Sequence, residues 1–290
     1  VSSTVRNSEE VTEREIYIAR VKDLQTLLRH SLRLYQAIPE PANHELALQY
    51  SQAVYFKFLT HGVSLLNLLP DGPSKAGKAW DLSSASALAR CMIEAFEALA
   101  YISLHKVSEE EQTFRIKLWR AHDCERRLQM MKLVPVDEVK TSMCSKWLED
   151  AREELMACSF FKTLDLPQQK KLLKELPAYH ISHEEICRSS NIDFEYYRLS
   201  KMMTSQHVHT ASFAIHHLDR HIPASDEGYR NMTMAITPAV VFLAKAIVDL
   251  RVLYGLADEE LDSTDADVLS EYLPFLDGLR QWRVESPSGT

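Results

Sequence analysis

The 290-residue chain has 33 basic and 41 acidic residues. The resulting net charge of −8 and pI near 5.9 exclude broad electrostatic attraction to nucleic acid or to anionic membrane. Its 46% hydrophobic content implies a sizeable core, and only 7 glycines favour long helices over turn-rich sheet.

From Glu9 to Ile38, apolar residues recur at spacings of three and four, which predicts a helix that Pro39 and Pro41 end. A second helix is expected from Asn43, as cap, to Leu69, followed by a loop marked by Pro70, Gly72, Pro73 and Gly77. The third starts near Asp81 or Ser83 and runs to about His105. Ser108 with Glu111 is a capping box opening a fourth helix to about Leu133, and a fifth covers Asp137 to Ser159. A short amphipathic piece, Pro167 to Leu176, precedes a second capping box, Ser182 with Glu185. The next helix spans Phe194 to about His209, and Pro223 to Gly228 reads as loop. Thr237 with Pro238 reads as the start of a helix ending at Tyr254, and Thr264 to Trp282 as the last. The expectation is an all-α bundle of eight to ten helices, with an N-terminal hairpin (1–80) packed on a main bundle (81–290) as one continuous domain.

The stretch Ile236 to Tyr254 is the most apolar, but it carries Lys245, Asp249 and Arg251, so it reads as a buried helix and no membrane contact is expected. Val1 to Val11 is polar and reads as no signal peptide. Cys91, Cys124, Cys144, Cys158 and Cys187 are scattered and odd in number, which suits neither a disulfide framework nor a zinc knuckle. Together these features predict a cytoplasmic protein.

Two polar stripes interrupt otherwise apolar helices. Arg90, Glu94, Glu97 and Tyr101 share one face of the third helix at i, i+4, i+7 and i+11. That face either meets solvent, with Arg90 and Glu94 pairing along the helix, or forms a polar cluster completed by another helix. Tyr197, Ser200, Thr204 and His207 form a second stripe, readable as a polar surface or as that completing partner. Histidine is the side chain suited to proton exchange near neutral pH. His217 and His221 stand at metal-binding spacing, yet no H-E-x-x-H or E-x-x-H pattern occurs, so neither metal nor cofactor is expected. Glycine-rich nucleotide loops and a G-x-S-x-G elbow are absent from the sequence. The segment from Ser182 to Lys201 has helix-turn-helix spacing, but Asp193 and Glu195 stand where phosphate contacts form, which argues against DNA.

The segments A-L-A-R-C-M-I-E-A-F-E-A-L-A-Y-I, L-W-R-A-H-D-C-E-R-R-L-Q-M-M-K and Y-Y-R-L-S-K-M-M-T-S-Q-H-V-H, between Ser83 and Thr210, resemble a family of bacterial all-helical proteins of unknown function. The resemblance marks Arg90, Glu94, Tyr101, His122, Tyr197, Ser200 and His207. More distantly the chain is similar to the HEPN group of ribonuclease toxins and phage-defence components, whose active centres place an arginine and a histidine with four to six residues between them. Arg115 and His122 meet that spacing, although Ile116 follows the arginine where the group has a polar residue. The resemblance implies RNA as partner and Arg90, Glu94, His122 and His207 as catalytic centre, with Glu97, Tyr101, Tyr197, Ser200 and Thr204 supporting it. The alternative is a non-catalytic interaction or scaffold protein that binds itself or another protein through helical faces, the same residues forming a buried network.

Overall fold

A computed structural model describes residues 11–42, 44–70, 80–134, 138–209, 212–256 and 263–277. All regular structure in it is helical, as expected. The helices are α1 (Glu13–Ala37), α2 (Leu46–Leu68), α3 (Leu82–Leu99), α4 (Glu109–Met131), α5 (Glu138–Ala157), α6 (Ser159–Thr163), α7 (Leu166–Glu175), α8 (His183–Ser189), α9 (Phe194–Val208), α10 (Ser212–Arg220), α11 (Asp226–Tyr254) and α12 (Ser263–Tyr272). A π-helical turn (Ala100–Leu104) follows α3, and a 3-10 turn (Leu273–Asp277) follows α12. The expected Asn43 cap, the loop at Gly72, Pro73 and Gly77, and the end at Trp282 lie outside the described residues.

The chain divides into two compact units. The first draws on 1–39, 55–96 and 191–290, and the second on 40–54 and 97–190, so two of the four boundaries fall inside α2 and α3 and the other two between helices.

In the first unit, α1 begins at a capping box in which Thr12 and Glu15 satisfy each other's backbone. It buries Tyr17, Val21, Leu24 and Leu28, spaced three and four apart, and packs along α11. That partner is buried nearly all round from Ile236 to Leu250, which marks the centre of the unit. Here the sequence expectation needs correction. The helix starts at Asp226, capped by Ser225 Oγ on the Gly228 N–H, and Pro238 sits inside it. Proline removes one ladder bond and crowds the carbonyl four residues back. The neighbouring Thr237 hydroxyl donates to the Thr233 carbonyl at 2.8 Å, and dense apolar packing around the helix supplies what the ladder loses.

In the second unit, Ser108 caps α4 by accepting from the Glu111 N–H, as the capping signal predicts. Helices α4 and α5 form a hairpin pair around Phe114, Leu118, Leu128, Cys144, Leu148 and Leu155. The short α6 and α7 close the same core through Phe161 and Leu172. Helix α7 stops at Leu176, which takes the left-handed conformation with φ 39°.

Candidate functional site: a buried polar cluster in each unit

In the first unit Arg90 reaches in two directions. Its Nε and Nη2 donate to Glu94 Oε1 at 2.9 and 2.7 Å, the pairing along the helix that the spacing allowed. Its Nη1 also donates to Ser205 Oγ at 2.6 Å and to the Lys201 carbonyl at 3.1 Å, so α9 meets Arg90 through residues outside the Tyr197, Ser200, Thr204 and His207 stripe. Glu94 remains half exposed.

The second stripe faces inward. Tyr197, Ser200, Thr204 and His207 are all buried on α9. The Thr204 hydroxyl turns back to the Ser200 carbonyl at 2.8 Å, and Lys201 Nζ donates to the Tyr197 hydroxyl at 2.6 Å. His207 contacts His217 rather than Arg90: its Nε2 lies 3.2 Å from His217 Nδ1, whose Nε2 lies 2.9 Å from Asn231 Oδ1. An amide oxygen only accepts, which fixes the proton order along this chain. His217 donates from Nε2 and accepts at Nδ1, His207 donates from Nε2, and His207 Nδ1 is left as a buried lone pair with no partner. Burial, with His217 and His221 nearby, lowers the His207 pKa, so the ring is neutral at neutral pH. His221 turns its Nε2 to the Trp80 carbonyl at 3.2 Å. Among the described residues no three His, Cys, Asp or Glu side chains are grouped to hold a metal ion.

The second unit contains the larger cluster, at the end of α3. Its π turn is closed by the His105 N–H on the Ala100 carbonyl. A helix end leaves carbonyls without donors, and α4 supplies them. Gln112 Nε2 donates to the Ile102 carbonyl at 2.5 Å, and Arg115 Nη1 to the Tyr101 carbonyl at 2.8 Å. Arg115 is almost fully buried. Its Nε and Nη2 donate to Glu111 Oε1 at 2.9 and 2.6 Å, and Nη1 also points at His105 Nδ1 at 3.3 Å. Arginine has only donors, so His105 Nδ1 accepts and its Nε2 donates to Ser190 Oγ at 3.0 Å.

The guanidinium also lies over the Tyr101 ring, whose hydroxyl is 2.8 Å from His180 Nδ1. Burial first, and then the Arg115 charge, lowers the His180 pKa to about 4. Burial pushes the Tyr101 phenol well above its usual range. Both rings are therefore neutral at physiological pH, and one hydrogen bond serves both. On its other side His180 borders a cavity of about 380 Å³ with Tyr179, Lys171 and Ser182. Glu97 is buried, with His183 Nδ1 3.4 Å from its carboxylate.

His122 belongs to the second unit. Its Nδ1 donates to the Leu176 carbonyl at 2.7 Å, which pins the left-handed end of α7 to α4. The structure thus joins Arg90 to Glu94, but it gives His207 and His122 other partners. In the sequence Glu111 reads only as part of a helix cap, and His105, His180 and His183 fall outside the candidate site. Glu111 and Arg115 stand at i, i+4, a spacing that does signal a helix ion pair. No family model matches the chain, and neither a curated protein nor a solved structure matches it.

Proposed function

We propose that this chain is a non-catalytic helical interaction protein whose buried polar clusters fix which helix carbonyls and faces meet. The observation that carries this reading is the state of Arg115. A phosphate-binding arginine needs free donors toward solvent, whereas four donor contacts of this guanidinium end on Glu111, the Tyr101 carbonyl and His105. Its ring contact with Tyr101 covers one face. Buried polar groups of this kind specify packing without needing chemistry. All five cysteines are free thiols, which supports the reading of a reducing, cytoplasmic setting. Among the described residues no helix is long and apolar enough to cross a membrane.

The competing reading is RNA cleavage of the HEPN kind centred on Arg90, Glu94, His122 and His207. Incubation of the purified chain with labelled single-stranded RNA separates the two. The interaction reading expects no cleavage, and it expects His207→Ala and His122→Ala to lower the melting temperature. Cleavage by the wild type that disappears in Arg90→Ala or His207→Ala variants of unchanged melting temperature overturns it.

A further inference from the structure

Helices α4 and α5 of the second unit border an open cleft of about 600 Å³. That volume lies within the range of small-molecule sites, about 300–1,000 Å³. Each helix lines the cleft with one face. Trp119, Asp123 and Arg127 stand at i, i+4 and i+8 on α4, and Trp147, Asp150 and Glu154 at i, i+3 and i+7 on α5. Tyr50 of α2 adds a third aromatic ring. Trp119 is braced by Tyr179, whose ring centre lies 5.8 Å from its own, whereas Trp147 is 50% exposed.

The charges in the cleft do not cancel. Arg127 Nε donates to Asp123 Oδ2 at 2.6 Å, and Arg120 pairs with Glu154 at 3.7 Å. These pairs use both arginines that line the cleft and leave Asp150 over. Lys146 stands one turn before Asp150, yet among the described residues Asp150 enters no ion pair. The cleft thus combines three aromatic rings with one surplus negative charge. An anion would have to compete with Asp123 or Glu154 for its arginine. A wholly apolar molecule would take water from charged side chains and return nothing. A cation displaces no existing pair. Aromatic faces attract cations through the ring quadrupole, and a quaternary ammonium is more weakly hydrated than a bare one, so it gives up less on entering.

We propose that this cleft binds a small organic molecule with a quaternary ammonium head, the head seated against Trp147 and Trp119 and its charge met by Asp150. The carboxylate supplies the sign, and the rings supply the preference for a methylated over a bare ammonium. None of the groups that Arg115 binds lines the cleft, so binding here is read independently of the stability of that cluster.

The experiment is proton NMR of tetramethylammonium, and separately of choline, titrated with the full chain at constant ionic strength. The expected result is a saturable upfield shift of the N-methyl resonance, the ring-current signature of methyl groups over aromatic faces. The dissociation constant should be on the order of 1 mM, and ammonium chloride should not displace the probe. Trp147→Ala and Asp150→Asn, both at exposed positions, should each weaken binding roughly fivefold with an unchanged circular dichroism spectrum. An N-methyl resonance that does not move overturns the proposal, as does a shift that both variants retain in full. Preferential binding of benzoate overturns it too, since an anion requires an arginine to leave its acid. A trimethyllysine peptide that binds where choline does not overturns the assignment to a small molecule.

Discussion

The guanidinium carbon of Arg115 lies 4.6 Å from the centre of the Tyr101 ring, and the same guanidinium donates to the carbonyl oxygen of that tyrosine. One side chain thus binds a residue by both its ring and its backbone, and does so where the π turn leaves carbonyls without donors. Replacing Arg115 with Met keeps most of the volume but leaves Glu111, the Tyr101 carbonyl and His105 without their donor. Loss of one partner of a buried pair costs about 3 kcal/mol. Urea unfolding of Arg115→Met checks this. Arg115→Lys recovers only part of the loss, because an ammonium cannot reproduce the planar fork. An unchanged unfolding midpoint would mean that the cluster does not hold α4 to the end of α3.

His180 ties stability to acidity. Its pKa is about 4 in the folded chain, against about 6.5 for an exposed histidine. Between these values the unfolded chain takes up a proton that the native chain refuses, so stability is present at neutral pH and falls as pH drops through that window. The limit of this contribution is about 3 kcal/mol. His207 and His221 are also lowered and act in the same direction. Denaturant melts at a series of pH values should show the midpoint falling from neutral toward pH 4. In His180→Gln that fall should be shallower, and an identical slope in wild type and variant contradicts the assignment.

Gly228 lies in the first turn of α11, where alanine would ordinarily favour a helix. A Cβ there would come 2.2 Å from the Ile222 carbonyl oxygen, a backbone atom that cannot rotate away. Gly228→Ala should therefore destabilise by about 1–3 kcal/mol, the range for overpacking, against the gain expected from helix propensity. Thermal melting decides the sign. A rise in melting temperature would show that the turn at 222–225 yields easily.

Asp265 is buried on α12 and receives His30 Nδ1 at 2.8 Å and Arg33 Nη2 at 2.5 Å, both from α1. Asp265→Ala removes the acceptor that joins these helices and leaves a buried histidine nitrogen without a partner. The expected loss is about 3 kcal/mol by chemical denaturation. Asp265→Asn should lose less, since it keeps an acceptor oxygen. Equal losses in both variants would show that charge, rather than the hydrogen bond, is what matters.

Periodicity and caps made much of the fold legible. The cap at Ser108 and the capping box at Ser182 start helices where their spacing says, and α1 buries the residues that recur every three and four positions. Proline misled the reading of α11, because Pro238 has the local signature of a first turn and only tertiary packing allows it in an interior. Helix α10 was missed because it is only 9 residues long, too short for its apolar periodicity to stand out after the end of α9. At the candidate site, the faces of α3 and α9 were readable, and so was the Arg90–Glu94 pair. The partners of His207 and His122 were not. A histidine's neighbour is set by distant chain segments, here His217 across a turn and the carbonyl of Leu176, and a main-chain carbonyl leaves no trace in a sequence.

Pro238 also divides α11 in time. A helix of 29 residues with an unbroken ladder opens from its ends, each bond protecting the next. With no amide at position 238, opening that starts near Ser225 meets a break before it reaches the buried stretch from Phe242 onward. Because the amides of Ala239, Val240 and Val241 donate to carbonyls four residues back, before the proline, amide hydrogens up to Val241 should exchange with solvent as a faster block than those between Phe242 and Leu250. The same imino residue that removes one bond works as a firebreak, so the end of the helix beside the His207–His217–Asn231 chain can loosen while the centre of the first unit stays closed.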